Sequence, residues 1–162
     1  MRYADARASI KSGDVLAWRG TSFLARMIRM ATGGSWSHVA LALWLHDRLF
    51  VVQSKEGGRT GLELASVAVR RSPCDWIATR AAWTDAIEGQ ALDLLGVPYS
   101  YVAAVEVGFG LAPTGRGQVC SLYCSDVLAL AGIVLPRKGL NPQFMVEDLT
   151  GSMGRDMANL VI

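Results

Sequence analysis

Gly33-Gly34-Ser35-Trp36-Ser37-His38-Val39-Ala40-Leu41-Ala42-Leu43-Trp44-Leu45, then His46-Asp47, then Leu49-Phe50-Val51-Val52-Gln53-Ser54, is the stretch on which the fold turns. Trp36 to Leu45 and Leu49 to Ser54 are apolar runs of strand length, and His46-Asp47 between them reads as a turn, so the segment predicts a β-hairpin. A two-residue turn pairs Ala40 with Gln53. Side chains two apart on a strand share a face, so Gln53 then lies diagonal to His38, within ~7–8 Å between backbones. A slip of one residue would turn Gln53 away and bring Ser54 or Glu56 to that face instead.

Outward from the hairpin, helices and strands mix without the strict alternation of a parallel fold. Gly13 to Trp18 reads as a strand entered from a Gly turn. Thr21 is a candidate N-cap for a helix with Phe23, Leu24, Met27, Ile28 and Ala31 on its apolar face, stopped by Gly33-Gly34. Leu62 to Val69 and Asp75 to Ala81 are further strand candidates. Thr84 caps a second helix that Gly96 ends, and a third starts near Cys120–Cys124 and runs to Gly132. Tyr101 to Leu111 reads as either a helix or a buried loop, Pro113 to Gln118 as a flexible turn. The tail beyond Pro136 has little pattern, although Phe144, Met145, Val146 and Leu149 are apolar enough to pack. The fold class is α+β, an antiparallel sheet packed against helices.

The 162 residues suit one domain spanning 1–162. With 51% hydrophobic and 19% charged residues, the chain is too apolar for disorder. The net charge of +2, from 16 basic and 14 acidic residues, leaves no electrostatic footprint for nucleic acid. Arg19, Arg26 and Arg29 form a local basic bias that reads as a solvated face. No run approaches the roughly 20 apolar residues of a membrane span. The N-terminus lacks the apolar core of a signal peptide, so the expected location of the chain as encoded is the cytoplasm. Trp18, Trp36 and Trp44 read as core aromatics rather than a sugar platform.

Three cysteines without framework spacing predict reduced thiols. Cys120 and Cys124 with two scattered histidines do not make a zinc pattern, and no metal or other cofactor is expected. Cys124 follows a Gly-rich loop and precedes an Ala/Leu helix, which places it in a first helical turn. Free N–H groups there lower a thiol pKa and can hold a developing oxyanion. The competing reading is a small buried hydrophobe. Cys120 is the second candidate, read as lying ahead of the helix, and Cys74 in its Ser72-Pro73 turn reads as incidental. Of the two histidines, His38 opens an apolar strand beside a Gly turn, where a rigid side chain can reach a cleft. His46 sits in the turn and reads as solvated. A third residue orienting the imidazole would be Gln53, with Glu56 as the alternative.

These residues carry a resemblance. Gly13-Asp14-Val15-Leu16, Phe23-Leu24, Thr32-Gly33 and Ser37-His38-Val39, with Gly96-Val97-Pro98-Tyr99 and Tyr123-Cys124-Ser125-Asp126-Val127, resemble the ordered motifs of the circularly permuted NlpC/P60 hydrolases, the YiiX/YebB-like branch related to lecithin–retinol acyltransferases. The resemblance runs from residue 13 to about residue 132. It implies a papain-like core in which histidine precedes cysteine, as His38 precedes Cys124. It also implies a thiolate that attacks an acyl carbon and an acyl-enzyme that water or another nucleophile resolves. Relatives act on amide bonds of cell-wall peptides or on lipid esters. Their usual third residue is a Glu on the strand after the histidine, where this chain has Gln53. Tyr99 and Tyr123 fall in the matched motifs as candidate cleft residues or as packing aromatics.

The expectation is a thiol hydrolase or acyltransferase with Cys124 as nucleophile, His38 as base and Gln53 as orienter. Its substrate would be a peptide amide, such as one in a cell-wall peptide, or a lipid ester. The competing class is a binding module of the same fold that holds a peptide or lipid without chemistry, which Gln53 in place of an acid favours.

Overall fold

The computed structural model describes residues 1–109, 111, 113–114, 117–137 and 141–162. Its centre is a six-stranded sheet of β1 (Val15–Trp18), β2 (His38–Leu45), β3 (Arg48–Ser54), β4 (Thr60–Leu64), β5 (Cys74–Ile77) and β6 (Met157–Leu160). The strand order is β4-β3-β2-β1-β5-β6, and every pairing is antiparallel. Leu45 faces Arg48 and Leu41 faces Val52, so the hairpin turn holds His46 and Asp47 in the register expected from the sequence. His46 takes a positive φ of 53°, uncommon for a residue with a Cβ.

Both sheet faces are covered. Val15, Ala17, Val39, Leu41, Val52 and Ile77 pack against α4 (Asp85–Asp93), α6 (Cys120–Leu130) and α7 (Pro142–Glu147). The opposite face carries Leu16, Ala40, Ala42, Val51 and Leu160 against α1 (Tyr3–Ala6) and α3 (Ala65–Arg71). A third cluster joins α2 (Phe23–Thr32) to α5 (Tyr101–Gly108) through Leu24, Ile28, Ala103, Ala104 and Val107, with Val119 beneath. A short π turn over Asp148–Ser152 leads from α7 toward β6.

Several local readings change. Ser22, not Thr21, caps α2, its hydroxyl accepting from the Ala25 N–H at 3.1 Å. The buried stripe of that helix is Leu24, Ala25 and Ile28, and Phe23 is 80% exposed. The run Leu62–Val69 does not continue as a strand. It ends at Leu64 and becomes α3, because Ala65, Ala68 and Val69 bury at helical spacing. Cys74–Ile77 is shorter than the strand expected there. The ambiguous Tyr101 segment is helical to Gly108. Thr84 does cap α4, accepting from Ile87 N–H at 3.3 Å. The tail supplies α7 and β6, with Met145, Val146 and Leu149 buried in the core. Gly115 of the expected flexible turn and Lys138 at the start of the expected tail lie outside the described residues.

The entry to α6 is held from outside the helix. Gly117 takes φ +115°, and a Cβ there would stand 2.8 Å from the Pro98 carbonyl oxygen and 3.1 Å from the Ser100 Cβ. The next residue is held on both sides: Gln118 N–H donates to Pro98 O at 2.9 Å, and Ser100 N–H donates to Gln118 O at 3.0 Å. Val119 is extended, and the helix begins at Cys120.

Two glycines with positive φ separate conformational strain from close approach. Gly132 has φ +80° with nothing within 4 Å of an added Cβ. The expected cost of Gly132→Ala is about 1 kcal/mol, and that of Gly117→Ala about 2–3 kcal/mol because a clash adds to the strain. Urea unfolding of the two variants checks this, and equal costs would contradict the tight entry at Gly117.

Candidate functional site

His38 opens β2 at the end of the sheet, where its backbone is fixed by pairing with Trp18 on β1. The two rings lie 5.8 Å apart between centroids. The register that pairs Leu41 with Val52 sets Gln53 diagonally across from His38. The two side chains meet there, with His38 Nε2 and Gln53 Oε1 2.7 Å apart. The amide oxygen can only accept, so Nε2 carries the proton and the accepting lone pair of the neutral ring lies on Nδ1. Gln53 itself is buried. Its Nε2–H donates to Glu63 Oε2 at 2.9 Å, on the neighbouring strand β4.

The thiol beside His38 is Cys120. Both side chains line the cleft, and each shifts the titration of the other. With Nε2 committed to Gln53, Nδ1 is the nitrogen left for the sulfur. Burial alone would raise the Cys120 pKa. The His38 charge and hydrogen bond, with backbone hydrogen bonds from Val39 and Ser121, outweigh it and hold the thiol below its ordinary value. Burial would lower the His38 pKa, but the Cys120 thiolate and the Gln53 acceptor raise it above the usual imidazole value, against a smaller opposing effect from Lys55. Both shifts favour a thiolate–imidazolium pair. Cys120 is also the first residue of an 11-residue helix, the end where backbone N–H groups lack intrahelical partners.

Cys124 does not stand at this site. The helix begins at Cys120, which moves Cys124 from the expected first turn to the second. There it has no exposed surface and packs with Tyr123, Val127 and Leu128 in the core. Burial, reinforced by the Cys120 charge, pushes its thiol well above the ordinary value. Cys74 is likewise buried, and its thiol is pushed up to about 12 by burial and the Asp75 carboxylate. Tyr123 is buried as well, and its hydroxyl donates to Ala91 O at 3.1 Å, so it is a packing residue. Tyr99 does line the cleft and stacks edge-on against Tyr101 at 5.3 Å. Glu56 lies at the cleft rim, accepting from the Ser22 hydroxyl at 2.8 Å, and does not bond His38. His46 is exposed at its turn, as expected.

The cleft has a volume of about 650 Å³. Trp18, Leu24, Ala25 and Ile28 give it an apolar wall, and Arg19, Lys55 and Glu56 a charged rim. His38, Gln53 and Cys120 also line it. Arg19 is held over the rim by buried Asp75 at 2.9 Å, and Asp75 also accepts from Trp36 Nε1 at 2.7 Å. Asp75, Glu63 and the start of the Cys120 helix are features that sequence reasoning missed. For the helix, the Val119-Cys120 boundary has no side-chain cap to mark it.

No family model and no curated protein matches the sequence. Among solved structures, the chain is similar to the metalloprotein YiiX from Escherichia coli O157:H7. The TM-score is 0.60 at 16% identity, over 78% of this chain and 69% of that one. The fold is thus α+β and papain-like. Among the described residues, no three His, Cys, Asp or Glu side chains gather as a metal site, and no helix is long and apolar enough to cross a membrane.

The contrast between the three thiols is directly measurable. Iodoacetamide at pH 7 is expected to label Cys120 and leave Cys74 and Cys124 unlabelled until urea unfolds the chain. Fragment-ion mass spectrometry resolves Cys120 from Cys124 within one peptide. Preferential labelling of Cys124 in the folded protein would contradict the helix start at Cys120.

Proposed function

We propose that this protein is a thiol hydrolase or acyltransferase that works through an acyl-enzyme on Cys120. One observation carries the reading: a thiol at a helix N-terminus, lining a cleft, paired with an imidazole whose other nitrogen is fixed by Gln53. The papain-like fold supports it.

The Cys120 thiolate attacks the acyl carbon, and the carbonyl electrons move to oxygen. Helix N-terminal N–H groups around Cys120 face the developing oxyanion. His38 holds the proton on Nδ1 and gives it to the leaving amine or alkoxide as the tetrahedral species collapses. Water or an acceptor then enters. His38 takes its proton, and the thioester is cleaved to regenerate the pair. Gln53 keeps Nε2–H occupied throughout, so the proton on that nitrogen never competes with the one in transit.

The substrate class that suits the lining is a peptide amide, such as a cell-wall peptide. The charged rim of Arg19, Lys55 and Glu56 can meet peptide backbone and side chains, while Leu24, Ala25 and Ile28 accept an apolar part. A lipid ester is the second reading, favoured by that same apolar wall. A binding module without chemistry would have no use for a thiol held below its ordinary pKa.

The test is turnover of a panel of peptide amides and acyl esters. Cys120→Ala is expected to abolish activity and His38→Ala to lower kcat by about 10³-fold or more. Cys124→Ser, a core change, is expected to stay within about threefold of wild type in kcat at a temperature where it is folded. The pH profile should be a bell. Its acid limb is the protonation of Cys120, lying below the ~8.5 of a free thiol. Its alkaline limb is the loss of the His38 proton, above the ~6.5 of a free imidazole. Activity that survives Cys120→Ala would overturn Cys120 as the nucleophile, and an intact thiol with no turnover and no acyl-enzyme on any substrate would leave the binding module.

A further inference from the structure

Three side chains on three neighbouring strands share one sheet face: His38 on β2, Gln53 on β3 and Glu63 on β4. Gln53 faces Gly61 and Val51 faces Glu63, so Glu63 stands diagonal to Gln53 just as Gln53 stands diagonal to His38. The contacts form a chain of hydrogen bonds with one direction. His38 Nε2 donates to Gln53 Oε1 at 2.7 Å, and Gln53 Nε2 donates to Glu63 Oε2 at 2.9 Å. Glu63 also accepts from Lys55 Nζ at 2.8 Å and from Arg71 at 2.7 Å. Its side chain is 15% exposed.

We propose that Glu63 is a positioning residue: its carboxylate fixes which end of the Gln53 amide faces His38, and so which imidazole nitrogen is free for the thiol. The proposal rests on the Cys120–His38 pair as the reacting groups. An amide has a donor end and an acceptor end of nearly the same shape. Turned over, Gln53 would present its NH₂ to His38, and the ring would have to accept on Nε2 and carry its proton on Nδ1. That is the wrong tautomer for taking a proton from Cys120. A side-chain amide alone has no means of choosing. An ionised carboxylate can only accept, so it dictates that the NH₂ of Gln53 points toward it and the oxygen toward His38. Burial acts to neutralise Glu63, but the hydrogen bonds and charges of Lys55 and Arg71 hold its pKa below the usual carboxylate range, so the constraint persists across the neutral range. The charged or titratable groups facing this chain are Lys55 and Arg71 at Glu63, Lys55 and Cys120 at His38, and Tyr99 and Glu56 at the cleft.

The distinguishing variant is Glu63→Gln, read by the rate of Cys120 alkylation against pH. The side chain keeps its size but has one oxygen for three donors, so Gln53 loses its imposed direction. The apparent pKa of Cys120 is expected to rise by about one unit or more, with the alkylation rate at pH 6.5 falling at least about tenfold. The sign separates this from a bare charge effect. Removing a negative charge next to Lys55 and Arg71 would by itself favour the thiolate and move the pKa down. Exchanging the two groups, in the double variant Gln53→Glu with Glu63→Gln, puts an acceptor-only group directly on His38 and should return the profile to within about threefold of wild type. A second measurement does not depend on a variant folding: side-chain ¹⁵N shifts of His38 in the wild type, at a pH where the ring is neutral, should report the Nε2–H tautomer. A wild-type profile with an ordinary thiol pKa would overturn the Cys–His pair and the relay with it. A low wild-type pKa that Glu63→Gln leaves unmoved or shifts down, a folded exchange variant that does not recover, or an Nδ1–H tautomer would overturn the relay alone.

Discussion

The 2.7 Å contact between His38 Nε2 and Gln53 Oε1 crosses the β2–β3 hairpin, and it exists only while that hairpin keeps a two-residue turn. Side-chain direction alternates along a strand. Sliding β3 by one position would send Gln53 to the face now occupied by Val52, and would bring Val52 from the core to His38. Core and site therefore fix the same register. Val39, Leu41 and Val52 bury on one face only if His38 and Gln53 meet on the other. The positive φ at His46 is the local strain at which that register is held. The fold tolerates it because the hydrophobic pattern of two whole strands outweighs one unfavourable backbone conformation.

Cys120 and Cys124 show how little separates a thiol held below its ordinary pKa from one pushed above it. They lie one helical turn apart on the same face of α6, within the same core cluster. Both are desolvated, which by itself raises the pKa of each. What distinguishes them is the company of the anion. The sulfur of Cys120 has the imidazolium of His38 and backbone donors from Val39 and Ser121, and that combination reverses the effect of burial. The sulfur of Cys124 meets packed apolar side chains and the Cys120 charge, which add to it. A thiol one turn into the helix has lost both the free N–H groups of the terminus and the influence of His38.

Much of this was legible in the sequence, and the pattern of success is physical. The hairpin register followed from alternation and from a turn of fixed length, both properties of the backbone. So His38 and Gln53 could be placed on one face without knowledge of the rest. The start of α6 could not be placed the same way. Its boundary is set by tertiary contacts, with Gln118 clamped between Pro98 and Ser100 and Gly117 in a conformation that only glycine takes easily. The helix carries no side-chain cap to mark residue 119 as the boundary. An error of one turn was enough to exchange the two cysteines. Leu62–Val69 failed for a related reason. Val67 and Val69 fit a strand, but the chain turns helical after Leu64, where Ala65, Ala68 and Val69 bury against the sheet. Glu63 lay inside that misread segment, and with the strand drawn too long it had no partner to suggest its place.

The neutral amide at position 53 has a reading in charge and burial. Gln53 is 5% exposed, and a carboxylate in its place would have to be desolvated within the same small site as the Cys120 thiolate. That desolvation is a cost to stability and leaves the direction of the Nε2–H bond unchanged. An amide gives His38 an acceptor without that cost, at the loss of any intrinsic sense of direction. Glu63 stands one strand further out, where Lys55 and Arg71 reach it from solvent-facing positions, 42% and 62% exposed. A carboxylate is inexpensive to keep ionised there. The separation divides two requirements that a single Glu on β3 would have to meet together. The group touching the histidine is neutral and buried, and the group that can only accept is charged and supported by cations. On that division, the departure from an acid at position 53 is compatible with chemistry at Cys120.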